Sequence, residues 1–131
     1  MCLRTTIRRL AKPAPNLAHW AQALQGIAGS GVFVYCNQPE HVTAHFRARV
    51  FAPDHGVLED PATGSAVAAF AGVVQRFDRL PDGMHKREIE QGYEMGRPSQ
   101  IELSLEVEGG KLSGLRIGGY AVRMSEGVLT I

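Results

Sequence analysis

A chain of 131 residues and 14.2 kDa has the length of one domain, since single domains run to roughly 100–150 residues. Its 44% hydrophobic and 21% charged residues are an ordinary globular composition, which excludes disorder, collagen-like repeats and a disulfide scaffold. With 14 Lys and Arg against 13 Asp and Glu, the formal charge of +1 supplies no field for nucleic acid or anionic lipid.

The chain opens with Arg4, Arg8, Arg9 and Lys12 and has no acidic residue before Glu40, a bias shared with organelle-targeting peptides. Pro13, Pro15 and the lack of a sustained amphipathic pattern favour an edge strand or crossover instead. Asn16 is placed to cap a short helix on which Leu17, Trp20, Ala21 and Leu24 share a face, and Gly26 ends it. Gly29-Ser30-Gly31 turns the chain into the strand formers Val32-Phe33-Val34-Tyr35, and Asn37-Gln38-Pro39-Glu40 closes that buried strand. Over residues 41–50, Val42, Ala44, Phe46, Ala48 and Val50 alternate with His41, Thr43, His45, Arg47 and Arg49, the period of a strand. On a strand His41 and His45 stand about 13 Å apart, too far to share a metal, so no metal site is expected.

Residues 51–56 read as a loop. Beyond them, Glu59-Asp60-Pro61-Ala62-Thr63-Gly64-Ser65 leads into an apolar run over residues 66–74. A run with no polar face must be covered on nearly every side, which predicts a helix from about Gly64 to residues 75–78, sheathed by sheet. The run falls far short of the roughly 20 residues of a bilayer-spanning helix, and no membrane is expected as a partner. Leu80-Pro81-Asp82-Gly83 is a turn. Strands follow at residues 87–93 and at 101–107, where Ile101, Leu103, Leu105 and Val107 alternate with polar residues. Past a Gly109-Gly110 hairpin turn the sheet continues at Leu112, Leu115, Ile117, Val122 and Met124, interrupted by Gly118-Gly119; Glu126-Gly127 turns into a last strand at 128–131. With no internal repeat, the simplest architecture is one α+β domain over residues 1–131. Cys2 and Cys36 form no ligand spacing, and they imply a reducing, cytoplasmic setting with idle thiols.

Candidate chemistry gathers at the start of the apolar helix. The first-turn amides of Gly64, Ser65 and Ala66 carry a positive partial charge and suit a carboxylate, and Gly64 lets a ligand come close. Asp60, just ahead of them, can accept a proton or hydrogen-bond a substrate. The structural alternative is that Thr63 or Ser65 caps the helix while Asp60 complements its dipole. Arg49 as an anion clamp and His55 as an acid or base complete the candidates.

Arg49-Val50-Phe51-Ala52-Pro53, Gly56 and Glu59-Asp60-Pro61-Ala62-Thr63-Gly64-Ser65-Ala66 resemble the RMFAP...G...EDPATGSA signature of the PhzF-like phenazine-biosynthesis family. Gln91-Gly92-Tyr93-Glu94-Met95-Gly96-Arg97-Pro98-Ser99 resembles its QG.EMGRPS element, and Gly118-Gly119 with Glu126-Gly127 its tail. The resemblance covers residues 31–131. It implies a diaminopimelate-epimerase-like fold, a curled, mostly antiparallel sheet wrapped around one central apolar helix. Two such domains enclose a cleft in which facing helix ends hold a small acidic substrate, with no metal or organic cofactor. The chemistry implied is proton movement between carbons, as in the isomerisation of a dihydro-hydroxyanthranilate.

By the same resemblance Asp60 and Ser65 are the expected catalytic residues, and Thr63, Gly64, Ser65 and Ala66 the expected substrate-binding residues. Pro61 stands where related epimerases and racemases carry a catalytic cysteine, so two-thiol racemisation is not expected. The family's proton-shuttling glutamate and Gly-Asn-Pro loop belong to a first domain that no segment here resembles. The chain therefore reads as the C-terminal half of a cofactor-independent isomerase, active once a second domain closes the cleft. A separately encoded N-terminal half or a second copy in a homodimer would supply it. The alternative is a non-catalytic, truncated or relic domain that binds a small carboxylate or a partner protein.

Overall fold

In the computed structural model, which describes residues 1–11, 14–27 and 31–130, the apolar patterns become seven strands and three helices among the described residues. In chain order they are β1 (Cys2–Arg4), α1 (Ile7–Leu10), α2 (Leu17–Ala23), β2 (Val32–Cys36), β3 (Phe46–Ala52), β4 (Val57–Asp60), α3 (Gly64–Asp78), β5 (Gly83–Gln91), β6 (Ser99–Glu108) and β7 (Lys111–Gly119). Asn16 caps α2 as expected, its side chain accepting from the Ala18 amide.

The sheet runs β1-β2-β3-β5-β6-β7, with β4 paired to β3 beside that path. Most pairings are antiparallel; β1 with β2 and β3 with β5 are parallel. Parallel neighbours need a long crossover, and here β4 and α3 provide it. The β3–β5 seam pairs only Phe46 with Ile89, Arg47 with Glu90 and Ala48 with Gln91.

One core lies between α3 and the inner sheet face. Val67, Phe70, Ala71 and Val74 of the helix meet Phe33 and Tyr35 of β2, Ala48 and Val50 of β3, Ile89 of β5 and the alternating Ile101, Leu103, Leu105 and Val107 of β6. Phe70 is the centre of an aromatic cluster, with ring centroids 4.8 Å from Phe33, 4.6 Å from Tyr35 and 5.1 Å from Phe46. The same helix also packs on β7. From β2 to β7 a flat sheet would measure about 19 Å, whereas a helix with its side chains is about 10–12 Å across. Contact with both therefore requires the sheet to curl around α3. A second core on the outer face joins Val32, Val34, Cys36 and Phe51 to Leu10 and Leu24, so α1 and the end of α2 cover β2 from behind.

Several expectations need correction. Residues 41–45 form bends and turns rather than the start of a strand, and Val42 is 95% exposed. The buried Glu90 carboxylate accepts from the amides of Glu40 and His41, while the His45 amide donates to Glu88 O. These bonds tether the segment to β5 and deny it a strand partner. The strand argument against a shared His41–His45 metal site thus fails. Instead, His41 Nδ1 contacts Thr43 Oγ1 and His45 Nδ1 accepts from the Glu88 amide, and among the described residues no three His, Cys, Asp or Glu side chains gather as a metal site.

Helix α3 is sheathed on one side only: Ser65, Ala69, Gly72 and Arg76, at helical spacing, form an exposed stripe. β3 continues through Phe51 and Ala52, where a loop was expected, and β5 begins at Gly83. β7 stops at Gly119, so Val122, Met124 and residues 128–130 lie outside the sheet and are exposed. Lys12, Pro13, the Gly29-Ser30 turn and Ile131 lie outside the described residues. No described helix is long and apolar enough to cross a membrane.

Candidate functional site

Arg49 anchors the site without belonging to its cavity. Its side chain points away from the α3 core and forks onto Glu59, with Nε donating to Oε1 and Nη2 to Oε2, each at 2.8 Å; Nη1 donates to Leu10 O at 3.0 Å. It also covers the Phe51 ring at 4.9 Å. Each of its three nitrogens has a protein partner, so it serves as a clamp between β3 and β4. The hydrogen bonds it donates to Glu59 raise its pKa further against the opposing effect of burial, so the charge is permanent.

With β4 fixed, Asp60 is delivered to the mouth of α3. Thr63 holds the N-cap position with φ −110° and ψ 86° but makes no side-chain cap bond. Its hydroxyl instead donates to Asp60 Oδ2 at 2.7 Å. The capping alternative is therefore not what the chain adopts at Thr63, and among the described residues no side chain caps the amides of Gly64, Ser65 and Ala66.

The loop between β4 and α3 is braced from the second motif. Gln91, fully buried at the end of β5, accepts from the Thr63 amide at 3.2 Å and donates to Asp60 O at 2.6 Å and Thr63 Oγ1 at 2.9 Å. Ser99 Oγ bonds Pro61 O and Gln91 O. Gly92, at φ +79°, runs so close beneath the loop that a Cβ would lie 2.2 Å from Arg97 O and 3.0 Å from Pro61 O. Arg47 holds the turn after β5 against β3: it pairs with Glu94 at 2.9 Å and with Glu40, and covers the Tyr93 ring at 4.5 Å.

A cavity of about 480 Å³ opens at this corner, lined by Asp60, Thr63, Ser65 and Ala66 with His55 on one side. Its apolar wall includes Cys2, Phe33, Val50 and Val57. Burial pushes the Cys2 thiol pKa up, against the lowering effect of the N-terminal ammonium. The structure thus brings together Asp60, Thr63, Ser65 and Ala66. Gly64 lies outside the cavity lining and faces β7, where a Cβ would stand 3.4 Å from Ile117 Cγ2, in van der Waals contact. Gln91 escaped the reading of residue chemistry, although the motif that it opens was visible.

A mixed sheet curled around one helix, with an aspartate and free amides at that helix's start, defines an α+β domain of the diaminopimelate-epimerase type. The profile of the phenazine biosynthesis-like protein (PhzC-PhzF) family matches residues 5–127, and the chain belongs to that family. An uncharacterized isomerase of Mesorhizobium japonicum is 47% identical over 118 residues, 90% of this chain and 37% of the relative. The trans-2,3-dihydro-3-hydroxyanthranilate isomerase of Pseudomonas aeruginosa is 40% identical over 83 residues, 63% of this chain and 30% of the relative. The crystal structure of the Bacillus anthracis PhzF-family phenazine biosynthesis protein matches 88% of this chain and 40% of its own with TM-score 0.74, at 18% identity, a likeness of fold. The chain therefore spans well under half the length of these relatives.

Proposed function

We propose that this chain is one half of a cofactor-independent isomerase of PhzF type, acting on a small carboxylic acid by proton transfer. The observation that carries this reading is the cavity at the start of α3, where Asp60 and Ser65 line one wall beside an uncapped helix end. In this reading the amides of Gly64, Ser65 and Ala66 and the Ser65 hydroxyl hold the substrate carboxylate. Asp60 receives or returns a proton at carbon, and no electrons leave the substrate. The opposite wall, with a second acid or base, comes from a separately encoded N-terminal half or from a second copy across a two-fold axis. The isomerase names of the relatives support the reaction class.

The test is solvent deuterium incorporation into trans-2,3-dihydro-3-hydroxyanthranilate, followed by mass spectrometry. Incorporation that disappears in Asp60→Ala is the expected result; incorporation unchanged in that variant overturns the role of Asp60. A second reading rests on the short span of the chain relative to its relatives: a non-catalytic domain that binds a small carboxylate or a partner protein. It predicts carboxylate binding that weakens in Ser65→Ala, with no deuterium incorporated.

A further inference from the structure

The reading of Asp60 as the proton-transfer group leaves open what directs its carboxylate, and the buried hydrogen bonds behind it answer that question. Gln91 lies at the end of β5 with no exposure, and all its carboxamide partners come from the loop that carries Asp60. Its orientation is determined. The Thr63 amide can only donate and Asp60 O can only accept, so Oε1 faces the first and Nε2 the second; a flipped amide would set donor against donor and acceptor against acceptor. The second Nε2 proton then points to Thr63 Oγ1 at 2.9 Å. A hydroxyl that accepts there has one proton left to give, and Asp60 Oδ2 is 2.7 Å away. Among the described residues Oδ1 receives no donor, and Asp60 lines the cavity.

We propose that Gln91 is a positioning residue: its carboxamide fixes the direction of the Thr63 hydroxyl, which donates to Asp60 and leaves Oδ1 for the ligand in the cavity. The inference rests on the proposed role of Asp60. Gln91 does not touch the ligand.

The informative variant is Gln91→Glu, which keeps size and shape. Above the pKa of the introduced carboxyl it has no proton to give, so it loses the bond to Asp60 O and turns the Thr63 hydroxyl toward itself and away from Asp60; Thr63→Val removes the hydroxyl alone and keeps the bond to Asp60 O. Burial raises that pKa, and at low pH the protonated carboxyl again donates. Two probes separate aim from fold: anthranilate, whose amino group needs an aimed Asp60, and benzoate, which needs only the helix-end amides and the Ser65 hydroxyl. At pH 8.5 we expect Gln91→Glu to weaken anthranilate roughly tenfold, the loss of one hydrogen bond to a charged group, with benzoate unchanged. Lowering the pH to 5.5 should restore anthranilate. Thr63→Val should have the same effect at both pH values, and the double variant should be no worse than either single one.

Equal loss of both probes, or additive losses, overturns the inference in favour of a merely structural Gln91. The ¹³C shift of the Asp60 carboxyl, read without ligand, separates it from the reading of the site. If the shift moves in Gln91→Glu and Thr63→Val while wild type binds neither probe, the carboxylate site falls and the positioning role stands. An unmoved shift overturns the positioning role whatever binds.

Discussion

Two arginines that alternate along β3, Arg47 and Arg49, brace the segments around Asp60, both buried and both paired. Removing one partner of a buried pair leaves the other charged and unsolvated, which costs about 3 kcal/mol or more. Arg49→Ala should therefore lower stability by about 3 kcal/mol in urea unfolding, and Arg49→Lys should recover only part, since an ammonium cannot fork. At Asp82, the amides of Gly110 and Gly109 donate at 2.8 and 2.9 Å and hold the carboxyl below the usual carboxylate range. A lowered folded-state pKa gives stability that is present above the unfolded value and lost as pH falls through the folded one. Urea midpoints measured at about pH 6 and about pH 3, on either side of the ordinary carboxylate value, should thus differ less in Asp82→Asn than in wild type. The lining of the cavity was legible where it was consecutive: Asp60, Thr63, Ser65 and Ala66 fall within one short stretch of sequence. Gln91 was not, because its role is created by folding two segments together, and nothing about an amide at the end of a polar strand announces what it will meet.

The strand alternation of β6, the cap of α2 and the extent of α3 all followed from local pattern, because each depends on neighbours a few residues away. Residues 41–45 failed for the opposite reason. Their alternation is real, but the Glu90 carboxylate takes their amides, and periodicity cannot report a distant acceptor. Helix α3 shows a second limit: an apolar run says that a surface is to be covered, not that this chain does the covering. Its buried side is held by Phe70, and Phe70→Ala should cost about 3–5 kcal/mol through the cavity it leaves among three aromatic rings, seen as an earlier denaturant midpoint. On the exposed stripe, Gly72 has nothing within 4 Å of where a Cβ would stand. A glycine inside a helix is expensive, so Gly72→Ala should raise stability by about 0.5–1 kcal/mol in the same titration.

At the scale of the molecule, Tyr120, Val122, Met124, Val128 and Leu129 stand exposed after β7, and apolar side chains bared together mark surfaces that another chain covers. The two-copy form of the proposed enzyme predicts a dimer in light scattering that tightens when a small carboxylate is added; a monomer indifferent to carboxylates would count against that form and in favour of a separately encoded half.

The narrow β3–β5 seam has a consequence for motion. Three residue pairs in parallel register join the β1–β4 side of the sheet to the β5–β7 side, and parallel pairing is the weaker kind. The line between the two blocks is one where the molecule should open short of unfolding. Gln91 closes that seam while gripping the loop before α3, so a ligand that stabilises the loop also shuts the seam. The backbone amides there should exchange with solvent ahead of those in the middle of β6 and slow when the distant-looking cavity fills, so that occupancy is felt along the sheet as a closing of its two leaves.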